Sequence, residues 1–188
     1  MNEVMRTIVE RRSVRAFTDQ PIKKADVDSI LECARYAPSA NNTQNWHFTA
    51  IHSQAMIERV NGWIVEELKA SGNPNYERML ERSNGRIFRN ASCVIIVSTE
   101  KSDRFGVINA SAATQNILLA AASLGIGSCW IGTVGALAMS KQAGKYASEL
   151  RLPPGYSPYF GVTLGYAASQ DLEAPPRRQG VVVSFESE

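Results

Sequence analysis

Apolar positions Val4, Met5, Ile8 and Val9 recur at helical spacing, which predicts a short helix over residues 2 to 10 with Asn2 as its cap. A second helix is expected over residues 24–36, with Val27, Ile30, Leu31 and Ala34 on one face. Pro38 disfavours helical backbone at Ala37, so that helix should stop there. WHFTAIH (46–52) reads as a strand, and Ile57, Val60, Ile64 and Leu68 mark an amphipathic helix over 54–70. SGNPN (71–75) breaks that helix, and the polar stretch onward to Asn90 shows no period that assigns it. SCVIIVS (92–98) is a near-continuous β-branched run, as in a central strand. Residues 107–124 form the most apolar helix, closed by Gly125 as a natural C′ residue. SCWIGTV (128–134) is a second buried strand, 141–150 another helix, and 158–167 a long alternating strand. A Pro/Arg-rich connector (169–179) leads to a last strand, VVVSFE.

Helices and strands alternate along one chain of 188 residues without internal repeats, which predicts a single mixed α/β domain. A helix as apolar as 107–124 must be covered on nearly all sides, more than so small a domain supplies. The final strand lies beyond a connector long enough to reach a neighbouring chain. Both features predict a dimer. The formal net charge is +2, from 20 Lys+Arg against 18 Asp+Glu. Such a balance excludes a protein that grips nucleic acid or membrane by bulk electrostatics, so any anion site must be built locally. Cys33, Cys93 and Cys129 are odd in number and far apart, which fits a reducing compartment rather than a disulfide scaffold. Early charges in MNEVMRTIVERRSVR leave no room for a signal-peptide core, and the longest apolar run (117–122) is far too short to span a membrane. The expected setting is the cytoplasm.

Four segments carry candidate chemistry. Arg11, Arg12, Ser13 and Arg15 place three guanidiniums and a hydroxyl within five residues, enough to surround a phosphate. The plainer alternative is a solvated basic loop. The run from Pro38 to Trp46 holds Ser39, Asn41, Asn42, Thr43, Gln44 and Asn45, donors and acceptors suited to the edges of a flat heteroaromatic ring, or simply to a hydrogen-bonded turn. GIGSCWIG (125–132) is not a dinucleotide fingerprint, because it follows a helix and precedes a strand. Its glycines do let backbone approach a planar ligand closely. Arg177 and Arg178 offer further phosphate contacts or a solvated tail. His47 and His52 are the only histidines, no Cys or carboxylate cluster completes a metal site, and Cys129 is a buried thiol rather than a nucleophile. No acid/base pair stands out, which points to chemistry carried by a bound cofactor.

Taken together, RRSVRAF (11–17), APSANNTQNWHF (37–48), the apolar helix with GIGSCWIG, LGYA (164–167) and the terminal basic pair resemble the FMN-dependent nitroreductase family, in its order and over almost the whole chain. The resemblance implies an α+β fold, a mainly antiparallel sheet flanked by helices, in an intertwined homodimer. It implies a single FMN-binding domain over 1–188, with an arm from about 168 that reaches the partner by C-terminal strand exchange. Carried over residue by residue, Arg11, Arg12, Ser13 and Arg15 match the motif on the FMN phosphate and ring edge. Pro38, Ser39, Ala40 and Asn42 match the loop that reaches the same flavin from the other subunit. Ile131, Gly132 and Thr133 match the backbone lying over the ring, Asn84 an asparagine near it, and Arg177 or Arg178 the terminal basic residue on the phosphate. Many members have Gln-Pro-Trp where this chain has Gln44-Asn45-Trp46, which relaxes a turn without removing a ligand. The implied activity is ping-pong hydride transfer from NADH or NADPH through FMN to a nitroaromatic, quinone or similar small acceptor. A flavoenzyme of the same fold with other chemistry (flavin fragmentation, dehalogenation, ring oxidation) is the first alternative. A non-catalytic anion-binding module is the second.

Overall fold

The computed structural model of the chain describes residues 1–169 and 173–185. Helix α1 (Glu3–Glu10) starts at Asn2, whose side chain accepts a hydrogen bond from the Met5 amide at 2.9 Å. α2 spans Lys24–Arg35, β1 Trp46–Ile51 and α3 Gln54–Ala70, the last ending where the Ile57–Leu68 stripe predicts. The unassigned stretch contains α4 (Pro74–Ser83), with Asn73 capping the Asn75 amide and Pro74 in its first turn. β2 is Cys93–Glu100 and α5 Gly106–Ser123. β3 (Gly127–Ile131) is shorter than predicted: Gly132–Gly135 curls into a 3₁₀ turn, which two glycines within four residues permit. The predicted helix over 141–150 is α7 (Ala143–Glu149), preceded by a short unpredicted helix α6 (Ala136–Met139), and β4 runs Tyr156–Gly165.

All strand pairs are antiparallel, in the order β1-β2-β4-β3. The register slips between Val97 and Ser98, and Pro158 sits at that irregularity, where a missing amide donor does least harm. β2 alternates strictly. Cys93, Ile95 and Val97 face a core with Val27 and Ile30 of α2 and Ala110 and Ile117 of α5. Val94 and Ile96 face a second core with Ile64 and Leu68 of α3, Leu137 of α6 and Tyr146 of α7. Helices therefore cover both sheet faces, as expected of this α+β architecture. Burial pushes the Cys93 thiol up to about 12, which keeps it a neutral packing group.

One expectation is corrected. VVVSFE does not form a strand: residues 181–185 are irregular and Val181, Val182, Val183 and Phe185 are exposed, because no strand of the same chain lies alongside to pair with them. Glu186, the last residue of that motif, lies outside the described residues. As the limited cover of a small domain implies, the apolar helix is not enclosed within one chain: Ile108 remains 63% exposed on α5. α1 likewise buries none of its residues, leaving Val4, Met5, Ile8 and Val9 open. Among the described residues no helix is long and apolar enough to cross a membrane, and no His, Cys, Asp or Glu group could hold a metal.

On β1, His47 stands opposite Ser98, and both the His47 Nδ1 and the Ser98 Oγ are buried without a hydrogen-bond partner among the described residues. The imidazole meets the Tyr156 ring edge-on at 6.3 Å, and burial lowers its pKa below the usual histidine value. The folded state thus binds fewer protons than the unfolded chain as pH falls through roughly 6.5, the unfolded histidine value. Stability is present above that pH and lost below it. Thermal melts from pH 8 to 5 should show a falling midpoint that is shallower in His47→Gln; parallel slopes would assign the loss to other groups.

Candidate cofactor site

The Arg11–Arg15 segment is positioned by the outer edge of β3. Ser13 bridges Ser128 in parallel, and the Val14 amide donates to the Ser128 carbonyl at 2.9 Å. Val14 packs inward, 7% exposed, so its neighbours Ser13 and Arg15 turn the other way. Farther along, Phe17 bridges Ala167, and the Thr18 amide donates to the Tyr166 carbonyl at 2.9 Å. Gly127 permits this docking: a Cβ there would lie 2.9 Å from Val14 Cγ2 and 3.0 Å from the Gly165 carbonyl oxygen.

A cleft of about 850 Å³ opens beside the segment, lined by Arg11, Arg12, Ser13, Arg15 and, from the far end of the chain, Arg177. Arg12 closes the end of α1, its Nη1 donating to the carbonyls of Val9 at 2.7 Å and Arg11 at 2.8 Å. Arg177 folds back, Nη2 donating to the Pro175 carbonyl at 2.8 Å. Arg11 is the anomaly. Its Nη1 is buried yet finds no hydrogen-bond partner among the described residues. A buried, unpartnered guanidinium nitrogen costs about 1–3 kcal/mol or more, which an anion in the cleft would recover. Arg178 is exposed and does not line the cleft.

Arg15 also lines a second, smaller cleft of about 150 Å³, together with Trp130, Ile131, Gly132 and Thr133. A Cβ on Gly132 would meet nothing within 4 Å, so the backbone here faces open space. Trp130 is held edge-to-face against Phe160 at 4.8 Å. The lining also includes Met79 and Ser83 of α4 together with Ile87 and Arg89, residues that sequence reasoning missed. Their one signal was the i, i+4 spacing of Met79 and Ser83, obscured by the polar character of α4. Asn84 follows Ser83 directly, exposed at the helix end in left-handed backbone (φ 47°).

The Pro38–Asn42 loop is not brought to these clefts. It precedes β1, whereas the basic segment docks on β3, and these are opposite edges of a four-stranded sheet. Three strand spacings of about 4.8 Å put roughly 14 Å between the edges. A single chain therefore assembles the arginine cleft and the Ile131–Thr133 wall, and holds the amide-rich loop apart from both.

A family model described as the nitroreductase family matches residues 8–166. A protein of Archaeoglobus fulgidus, provisionally named NADH dehydrogenase/NAD(P)H nitroreductase, is 35% identical over 70% of this chain and 68% of its own length. Among solved structures, a nitroreductase with bound FMN from Bacteroides fragilis has a TM-score of 0.88 at 32% identity, covering 99% of this chain and all (100%) of that one. A nitroreductase with bound FMN from Desulfitobacterium hafniense also has a TM-score of 0.88, at 28% identity, covering 98% and 100%.

Proposed function

We propose a function from the premise that this chain belongs to the nitroreductase family: it is an NAD(P)H-dependent FMN oxidoreductase that reduces nitroaromatic, quinone or similar small acceptors. The observation that carries the cofactor assignment is the buried, unpartnered Arg11 Nη1 in a cleft lined by three further arginines. That arrangement suits a phosphate monoester, and the open backbone at Gly132 beside Arg15 suits a flat ring. The residues present fit FMN.

In this reading Arg11, Arg12, Ser13 and Arg177 hold the phosphate, and Arg15 bridges the two clefts to the ring edge. Ile131, Gly132 and Thr133 lay backbone over the ring, with Asn84 at its margin. When bound, FMN would supply the redox chemistry, the carriage of an electron pair between the nicotinamide and the acceptor. The chain's own part is to orient, to place positive charge where the ring becomes electron-rich, and to limit what approaches it. No side chain need move a proton, in keeping with the absence of an acid/base pair.

The Pro38–Asn42 loop reaches the flavin of a second copy, so the working unit is a homodimer. Two features support this: the loop and cleft occupy opposite sheet edges, and α1, α5 and residues 181–185 leave apolar surface uncovered. The outer edge of β1 pairs with nothing among the described residues, which suits strand addition by a partner's arm. Arg177, inside the cleft, is the terminal phosphate ligand rather than Arg178.

Purified protein is expected to be yellow, with one FMN per chain, and to consume NAD(P)H faster when a nitroaromatic or quinone is added. Colourless protein that takes up no added FMN would overturn the cofactor assignment. Flavin-loaded protein that never oxidises reduced nicotinamide would overturn the reductase assignment alone.

A further inference from the structure

The loop expected to serve a partner's flavin rests on a buried polar cluster that none of the clefts uses. Asn109, in the first turn of α5, is 2% exposed. Its Oδ1 accepts from the Ala40 amide at 3.0 Å, and its Nδ2 donates to Thr43 Oγ1 at 3.3 Å, Asn45 Oδ1 at 3.1 Å and Asp103 Oδ2 at 3.4 Å. Asp103 Oδ2 also accepts closely from Asn45 Nδ2, while its Oδ1 holds the Phe105 amide at 2.8 Å. Thr99 completes the cluster from β2 by donating to the Asn45 carbonyl at 3.1 Å.

We infer that Asn109, locked by Asp103, is a positioning residue for the cofactor: it fixes the bent Ala40–Asn45 loop in the shape that a second copy's flavin requires. The inference rests on the FMN reading above and goes beyond it. Three observations carry it. The loop is strained, with Asn41, Asn42 and Gln44 at φ 53°, 54° and 47°, left-handed backbone that persists only when the surroundings over-determine it. Asn109 supplies that determination, because one side chain grips three points of the loop, at 40, 43 and 45. Finally, α5 had a cheaper option. Its other buried positions are mostly Ala, Ile and Leu, and a buried amide costs free energy unless fully bonded. What the amide gives in return is one loop shape, with Asn41 and Asn42 left exposed beyond it.

Crossed dimers test this directly. One chain carries Asn109→Ala and a differently tagged chain carries Arg11→Ala, and mixed dimers are isolated by both tags. In each parent homodimer, both sites are damaged once, and FMN affinity should fall tenfold or more. In the mixed dimer one site receives both lesions and the other receives none. Titration should therefore reveal one site of wild-type affinity per dimer. A residue that merely stabilises its own chain gives no such recovery, so a mixed dimer without a tight site would overturn the inference. If Asn109→Ala fails to assemble, Asn109→Asp keeps the bond from Ala40 but loses every donor to Thr43, Asn45 and Asp103, and the same recovery is expected. Wild-type protein that binds no FMN would instead overturn the cofactor reading, and this inference with it.

Discussion

Replacing Arg11 with alanine is expected to weaken FMN binding by about 100-fold, the largest effect of any single side chain in the cleft. A charge-assisted hydrogen bond to a phosphate is worth about 1.5–3 kcal/mol, and about 2.7 kcal/mol corresponds to 100-fold in Kd. Arg11 should sit at the top of that range because its Nη1 is already desolvated and unpartnered, on a residue that lines the cleft. Arg12 spends part of its capacity on the carbonyls that end α1, and Arg177 on Pro175. Arg11→Lys should recover only part of the loss, since an ammonium lacks the guanidinium fork. The control is Arg178→Ala, expected to change Kd less than threefold because Arg178 lies outside the cleft. Fluorescence titration of apoprotein with FMN measures all three. Equal effects at Arg11 and Arg178 would show that general positive charge, rather than the cleft, binds the phosphate.

Gly127→Val should cost about 2 kcal/mol of stability or more and abolish cofactor binding in the protein that remains folded. The Cβ alone would press on both Val14 methyl groups and on the Gly165 carbonyl. The carbonyl belongs to the paired strand β4 and cannot retreat, so Val14 must. Moving Val14 breaks the amide bond to Ser128 and swings Arg11, Arg12, Ser13 and Arg15 off the β3 edge. Chemical denaturation measures the first effect and flavin retention on gel filtration the second. Valine at 132 is a contrast, because a Cβ there meets open space. It should leave stability nearly unchanged while crowding the face where the ring lies. Normal flavin retention in Gly127→Val would detach the basic segment's docking from the site's assembly.

Elements that bury a face of their own chain were legible in the sequence. α3 ends where its Ile57, Val60, Ile64 and Leu68 stripe ends, and β2 is the β-branched run, because each packs within one chain. α4 was missed because few of its residues are apolar, although Asn73 and Pro74 are an N-cap and a first-turn proline by type. The terminal strand failed for the opposite reason. Val181–Val183 have strand composition, but a strand is a pairing, and composition cannot say whose strand completes it. The site divides along the same line. Arg11, Arg12, Ser13 and Arg15 stood out as a local cluster, and Ile131–Thr133 followed from the resemblance. Arg89 reaches the small cleft only through tertiary packing, and the i, i+4 spacing of Met79 and Ser83 was lost in the polar character of α4. Asn109 was hidden differently, as one of several polar letters inside the most apolar helix.

The loop before β1 and the cleft beside β3 lie at opposite edges of one sheet, so if both serve one flavin no lone chain holds a complete site. On the proposed reading, output then depends on encounters. Well below the dissociation constant of the pair, halving the protein should quarter the turnover, whereas a self-contained enzyme would lose only half. Dilution becomes an inhibitor. FMN, touching both chains, becomes an adhesive whose affinity for the protein and whose hold on the pair rise together by linkage. An assay run at nanomolar enzyme would thus report assembly as much as chemistry.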